Sequence, residues 1–164
     1  MNVFKFAMKM ETDGRAFYLK QAERIESPWL KKILVELADD ELKHYNIFKA
    51  MKEGKTAEYK EAEQTKIIPT LKNVFETLKE ENKEYAFTAD SKKIWEEALE
   101  IEKKSEEFYR DKADEVDSES RKHILNKIAD EEHKHWVTLQ SVIRFLDRPN
   151  HWLEDAEWSN LEDY

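Results

Sequence analysis

Apolar residues recur every three or four positions along most of this chain, and the same stripes repeatedly carry a buried-looking polar residue. Phe4, Ala7, Met8, Glu11, Gly14, Tyr18, Ala22 and Ile25 share one face of a helix that the spacing predicts from residue 3 to about 25. Ser27-Pro28 predicts the next start, with Ser as N-cap and Pro at the first helical position. Its stripe is Leu30, Ile33, Leu34, Leu37, Glu41, His44, Phe48 and Met51, and Gly54 ends it. The connection between these helices is short, so they are expected to form an antiparallel hairpin.

Periodicity weakens over residues 55–90, where Pro69 and a shorter pattern predict a long connection holding one short helix, roughly 69–83. Leu71, Val74, Phe75 and Leu78 are its expected buried face. Thr88 to Ser91 supply a cap for a third long helix, which runs to about Val116 with the stripe Ile94, Trp95, Ala98, Glu102, Ser105, Tyr109 and Ala113. Asp117-Ser118 forms the next turn. A fourth long helix follows to about Leu146, with Ile124, Leu125, Ile128, Glu132, His135, Leu139, Val142 and Leu146 facing inward, and Pro149 breaks it. Trp152, Trp158 and Tyr164 mark the remaining tail as a segment expected to pack on the body or on a second subunit.

The two halves repeat. Shifted by 91 residues, Ala7 meets Ala98, Glu11 meets Glu102, Phe17-Tyr18 meets Phe108-Tyr109, and Ala22 meets Ala113. The register continues without a gap through Ser27 and Ser118, Ile33-Leu34 and Ile124-Leu125, to Glu41-x-Lys43-His44 and Glu132-x-Lys134-His135. A duplicated helical hairpin is the simplest source of such a register. Two hairpins joined by a long crossover make an all-α, ferritin-like four-helix bundle, here spanning residues 1–147, with residues 148–164 as the tail.

Composition narrows the class. The chain has 164 residues, with 2 Gly and 3 Pro, which fits one helical domain with a sizeable core. Charged residues make up 40%, yet the regularly spaced aromatics (12%) argue against disorder. A net charge of −9 disfavours binding to nucleic acid or an anionic membrane surface, and no run of 18 apolar residues predicts a membrane span. Met1 to Met10 is amphipathic, which does not fit a secretory signal, and a cytoplasmic setting is expected. The absence of cysteine excludes disulfides, thiolate zinc sites and iron–sulfur clusters on this chain.

Six polar residues lie on the inward stripes: Glu11, Glu41, His44, Glu102, Glu132 and His135. In each Glu-x-x-His pair the two side chains stand one helical turn apart on one face. A lone inward Glu or His is ordinarily a satisfied core group. Four carboxylates converging in a bundle are another matter: they repel, lose hydration, and are neutralised by two divalent cations. Oxygen and imidazole donors suit iron, manganese or zinc. This is the known ligand set of ferritin-like di-iron and di-manganese carboxylate proteins.

On Glu11 with Phe17-Tyr18, Glu41-x-x-His44, Glu102 with Phe108-Tyr109, and Glu132-x-x-His135, the chain resembles the rubrerythrin-like branch of the ferritin-like superfamily over residues 3–146. The resemblance implies two iron ions (manganese or zinc being alternatives) that react with hydrogen peroxide or dioxygen. By it Glu41 and Glu132 are bridging candidates, Glu11 and Glu102 terminal or chelating ligands, and one His serves each metal. It also pairs Asp40 with His135 and Glu131 with His44, each acid fixing an imidazole tautomer. Tyr18 and Tyr109 are candidate carboxylate partners. A full-length rubrerythrin adds a rubredoxin domain with four Cys, absent here, so electrons are expected from a separate rubredoxin-like donor, and a homodimer is expected. A rubrerythrin also carries an extra Glu one turn after the helix-three ligand, where this chain has Ser105, with Gly14 as its repeat partner. The site is therefore expected to be more symmetric. Ferroxidase activity or metal storage is the competing function.

Overall fold

The computed structural model of the chain describes residues 2–55 and 64–161. Among the described residues six α-helices follow one another: α1 (Val3–Arg24), α2 (Pro28–Lys52), α3 (Ile67–Glu81), α4 (Ala89–Glu115), α5 (Glu119–Asp147) and α6 (Pro149–Glu154), with a final 3-10 turn at Ala156–Asn160. No strand occurs among the described residues.

Hydroxyl caps set the long helices. The Ser27 and Ser118 side chains accept from Leu30 N and Arg121 N, each at 3.3 Å, at repeat-related starts. Thr88 does the same for Ser91 N at 3.3 Å. At the other end of α2, Gly54 adopts φ 74°, the left-handed conformation that lets the chain turn out of the helix. α1 packs along α2 and α4 along α5, and α3 lies against α2 and α5. The result is the expected ferritin-like bundle of two hairpins joined by a crossover.

The crossover differs in one detail. The spacing predicts its helix from about 69, whereas α3 begins at Ile67, with Ile67 and Ile68 fully buried. Pro69 sits inside the first turn, where its missing N–H is not needed for helix bonding. Thr65 supplies the local start by accepting from Ile67 N at 3.2 Å. The part of the connection at residues 56–63 lies outside the described residues.

Pro149 breaks α5 as expected and also opens α6 at its first position. Trp152 and Trp158 then pack edge-on against Phe75 of α3, with ring centroids 5.7 and 5.9 Å away. The tail therefore covers the crossover helix. Tyr164, named with it, lies outside the described residues.

Two apolar clusters fill the bundle. One joins Leu34, Leu37, Leu71, Phe75, Trp95 and Phe145 with Tyr18, and the other joins Phe48, Leu125 and Ile128 with Tyr109. Each fully buried Leu, Ile or Phe contributes about 1.5–3 kcal/mol relative to exposure, which offsets the cost of a polar layer in the same core. That polar layer is the set of glutamates and histidines.

Candidate metal centre

Each long helix brings inward residues to the bundle's middle: Glu11 from α1, Glu41 and His44 from α2, Glu102 from α4, Glu132 and His135 from α5. None is more than 4% exposed. They form two overlapping groups. Ligand atoms of Glu11, Glu41, His44 and Glu132 lie within 4.8 Å of one another, as do those of Glu41, Glu102, Glu132 and His135. Glu41 and Glu132 belong to both groups, while each group has its own histidine and its own lone glutamate. The two imidazoles lie nearly parallel, with centroids 6.1 Å apart.

The histidines present the same atom to the centre. His44 Nδ1 lies 2.9 Å from Glu132 Oε1 and 3.5 Å from Glu11 Oε2. His135 Nδ1 lies 3.2 Å from Glu102 Oε1 and 3.3 Å from Glu41 Oε1. The outer nitrogens cross to the opposite hairpin, His44 Nε2 to Glu131 Oε1 at 3.0 Å and His135 Nε2 to Asp40 Oδ2 at 2.9 Å. An ionised carboxylate only accepts, so each Nε2 donates to the acid behind it, and Nδ1 of each ring can serve a metal once it gives up its proton.

The tyrosines also cross over. Tyr18 of the first hairpin donates to Glu102 Oε1, and Tyr109 of the second donates to Glu11 Oε1 at 2.6 Å. Each is supported by its neighbouring phenylalanine in matching edge-on pairs, Phe17–Tyr18 at 74° and Phe108–Tyr109 at 72°. Burial, then the facing glutamates, push both phenols well above their ordinary pKa, so they remain neutral donors.

Electrostatics describe a site under strain without cations. Burial first, and then the charges of Glu11, Glu132 and Glu102, push Glu41 well above the usual carboxylate range. Glu132 is raised by burial and by Glu102 and Glu11. Burial alone would lower the two imidazoles, but facing carboxylates outweigh it, Glu11 foremost for His44 and Glu102 foremost for His135, and both are raised well above 6.5. Burial opposes ionisation of Asp40 and Glu102 as well, yet contact with His135 wins and holds both below the usual value.

The donor set fits a pair of cations. Glu11 Oε2, Glu41 Oε1, Glu102 Oε2, Glu132 Oε1 and His44 Nδ1 are all buried with no hydrogen-bond partner. Orphaned buried acceptors are costly, and here they face one another around the shared glutamates. Two divalent ions would satisfy these atoms and cancel four carboxylate charges.

Residues outside the inward stripes also matter. The Thr65 hydroxyl donates to Asp40 Oδ2, tying the start of α3 to the acid that holds His135. Nothing in the periodicity marks Thr65, because it precedes α3 and reaches Asp40 only through the tertiary fold. Lys134 is only 1% exposed although its repeat partner Lys43 is exposed. Glu106 and His133 are half-buried and paired at 2.9 Å. Their helix face turns toward the α4–α5 seam. His123 and His151 are exposed.

Four long helices with two Glu-x-x-His pairs and two lone glutamates define a ferritin-like carboxylate bundle. The chain belongs to the rubrerythrin family, whose sequence model, described as Rubrerythrin, matches residues 2–143. No curated protein and no solved structure gives a significant match. No helix among the described residues is long and apolar enough to cross a membrane.

Proposed function

We propose that this chain is a non-haem di-iron carboxylate oxidoreductase that reduces hydrogen peroxide or dioxygen with electrons from a separate donor. The observation that carries the reading is the overlap of the two four-residue groups at Glu41 and Glu132. A set of ligands shared in this way would hold two metals. Family membership supports iron as the metal. Two iron ions bound there would supply the electrons and the Lewis acidity needed to reduce an O–O bond.

The chain's own residues do the rest. Glu41 and Glu132 are shared between both positions and are both pushed toward holding protons when metal-free, so loading would release protons there. Glu131 and Asp40 fix the imidazoles from behind, leaving Nδ1 of each aimed inward. Tyr109 and Tyr18 hold Glu11 and Glu102 in place through one carboxylate oxygen, leaving the other oxygen free for metal. Leu125, Ile128, Phe48 and the α3-side cluster surround the layer and limit water. These 164 residues hold no cysteine to ligate a rubredoxin-type iron, so the proposed electrons would come from outside the bundle.

Stopped-flow spectroscopy of the iron(II)-loaded protein against peroxide and, separately, dioxygen tests the reading. Oxidation much faster with peroxide than with dioxygen, followed by turnover with a rubredoxin-type reductant, is the expected result. Oxidation without turnover, accompanied by accumulation of ferric iron beyond two ions per chain, would replace the reading with ferroxidase or storage.

A further inference from the structure

The two hairpins present repeat-related faces to solvent, and these faces differ. Between α1 and α2 lies a cleft of about 340 Å³. Its buried members are Glu11 and Glu41, one from each side of the seam, and its outer walls are Thr12, Ala16, Leu42 and Tyr45. Gly14 lies on the same seam. A Cβ there would stand 3.2 Å from Glu41 Oε2, so the glycine lets α1 lie close against that carboxylate.

The 91-residue register locates the equivalent positions on the other hairpin. Arg15, Ala16, Leu19, Leu42 and Tyr45 correspond to Glu106, Glu107, Arg110, His133 and Trp136. There the small and apolar residues are replaced by an interlocked set. Glu106 meets His133 at 2.9 Å and Arg110 at 3.3 Å, and Arg110 reaches Asp130 at 3.0 Å. The His133 ring stacks on Trp136, with centroids 5.9 Å apart. Ser105 stands where the first hairpin has Gly14. Long side chains bridging α4 and α5 thus cover the seam that α1 and α2 leave as a cleft.

We propose that the α1–α2 cleft is the route by which a small oxidant of peroxide size reaches the dinuclear position, and that the α4–α5 side is sealed. This rests on the metal-site reading above and adds to it a side of approach and a solute class. A cleft of this volume passes a two-oxygen molecule easily. Arg15 lines it, with Nε buried and without a hydrogen-bond partner. Its positive charge offsets part of the carboxylate charge of Glu11 and Glu41, which suits a neutral solute such as hydrogen peroxide.

Ala16→Trp and Leu42→Trp place an indole in the cleft without replacing a proposed ligand, and Glu107→Trp places one at the repeat-related position of the sealed face. Iron per chain, the second-order rate of oxidation by hydrogen peroxide, and the rate at which azide binds the oxidised protein are measured on the same samples. Either cleft variant is expected to keep its iron while both rates fall about tenfold or more, as for a blocked gate, and Glu107→Trp to stay within about twofold. Full iron with unchanged rates in both cleft variants overturns the route and leaves the metal reading standing. An equal slowing in Glu107→Trp also overturns it. Absence of iron from every sample, the unsubstituted protein included, overturns the metal reading and the route together.

Discussion

The α1–α2 and α4–α5 hairpins match at their inner faces and part at their outer ones. Inside, Glu11, Glu41, His44 and Tyr18 stand in the same register as Glu102, Glu132, His135 and Tyr109, and the tyrosine bonds and the outer imidazole bonds all cross to the other hairpin. Outside, an apolar cleft on one hairpin faces an ion-paired, ring-stacked seam on the other. The acids behind the histidines differ too: Asp40 is tied to Thr65 and lies 3.7 Å from Lys43, while Glu131 spans its distance with a longer side chain. A shared centre makes the inner faces interdependent, whereas each outer face answers only to its own surroundings.

Substitutions at the shared glutamates break the equivalence most strongly. Glu41→Ala or Glu132→Ala removes a donor from both groups and is expected to abolish binding at both metal positions. Glu11→Ala is expected to empty only the His44 position, and Glu102→Ala or His135→Ala only the His135 position. Metal analysis of the purified variants checks this, and equal losses from all of them would show that the two positions are not separable. Next in size are the acids behind the imidazoles. Asp40→Ala and Glu131→Ala are each expected to weaken affinity about 10–100-fold by freeing a ring, measured by competition with a chelator of known strength.

The crossing hydrogen bonds come below these. Tyr18→Phe and Tyr109→Phe each remove one bond to a carboxylate and are expected to cost about 1–2 kcal/mol in urea unfolding of the metal-free protein. Comparable losses from the two sharpen the inner symmetry; a much larger loss from one would break it. Thr65→Val removes the bond to Asp40 and the one from Ile67 N, and should lower stability by about 1–2 kcal/mol.

The gentlest probe is pH. In the metal-free protein Glu41, Glu132, His44 and His135 are all raised, so their stabilising contribution is present at low pH and is lost as pH climbs. The loss begins above the ordinary carboxylate range for the glutamates and above the ordinary imidazole value for the histidines. Asp40 and Glu102 are lowered, so their contribution is present above the ordinary carboxylate range and disappears on acidification below it. Metal-free stability is therefore expected to peak in mildly acidic solution and decline toward alkaline pH. Metal affinity should rise over the same interval, because binding displaces protons. Thermal unfolding across pH, with and without metal, measures both slopes.

Much of this was legible in the residues alone. Helical spacing placed Glu11, Glu41, His44, Glu102, Glu132 and His135 on inward stripes, and Ser27, Thr88 and Ser118 marked their helices' starts. The repeat supplied what spacing lacks, a reason for distant pairs to meet. The start of α3 was less readable, because Pro69 reads as a boundary when it is an early helical residue, and Thr65 acts through a contact 25 residues away. The α4–α5 seam escaped because Glu106, Arg110 and His133 are each unremarkable on an exposed-looking face. Only their mutual distances turn them into a cover.

The central claim is a dinuclear centre whose positions share Glu41 and Glu132. Metal content per chain after iron-supplemented expression, measured in the unsubstituted protein beside Glu41→Ala and Glu102→Ala, tests it most directly. Two ions, none and one, respectively, are expected. An unsubstituted protein without transition metal, or a Glu41→Ala variant that keeps both ions, would contradict it.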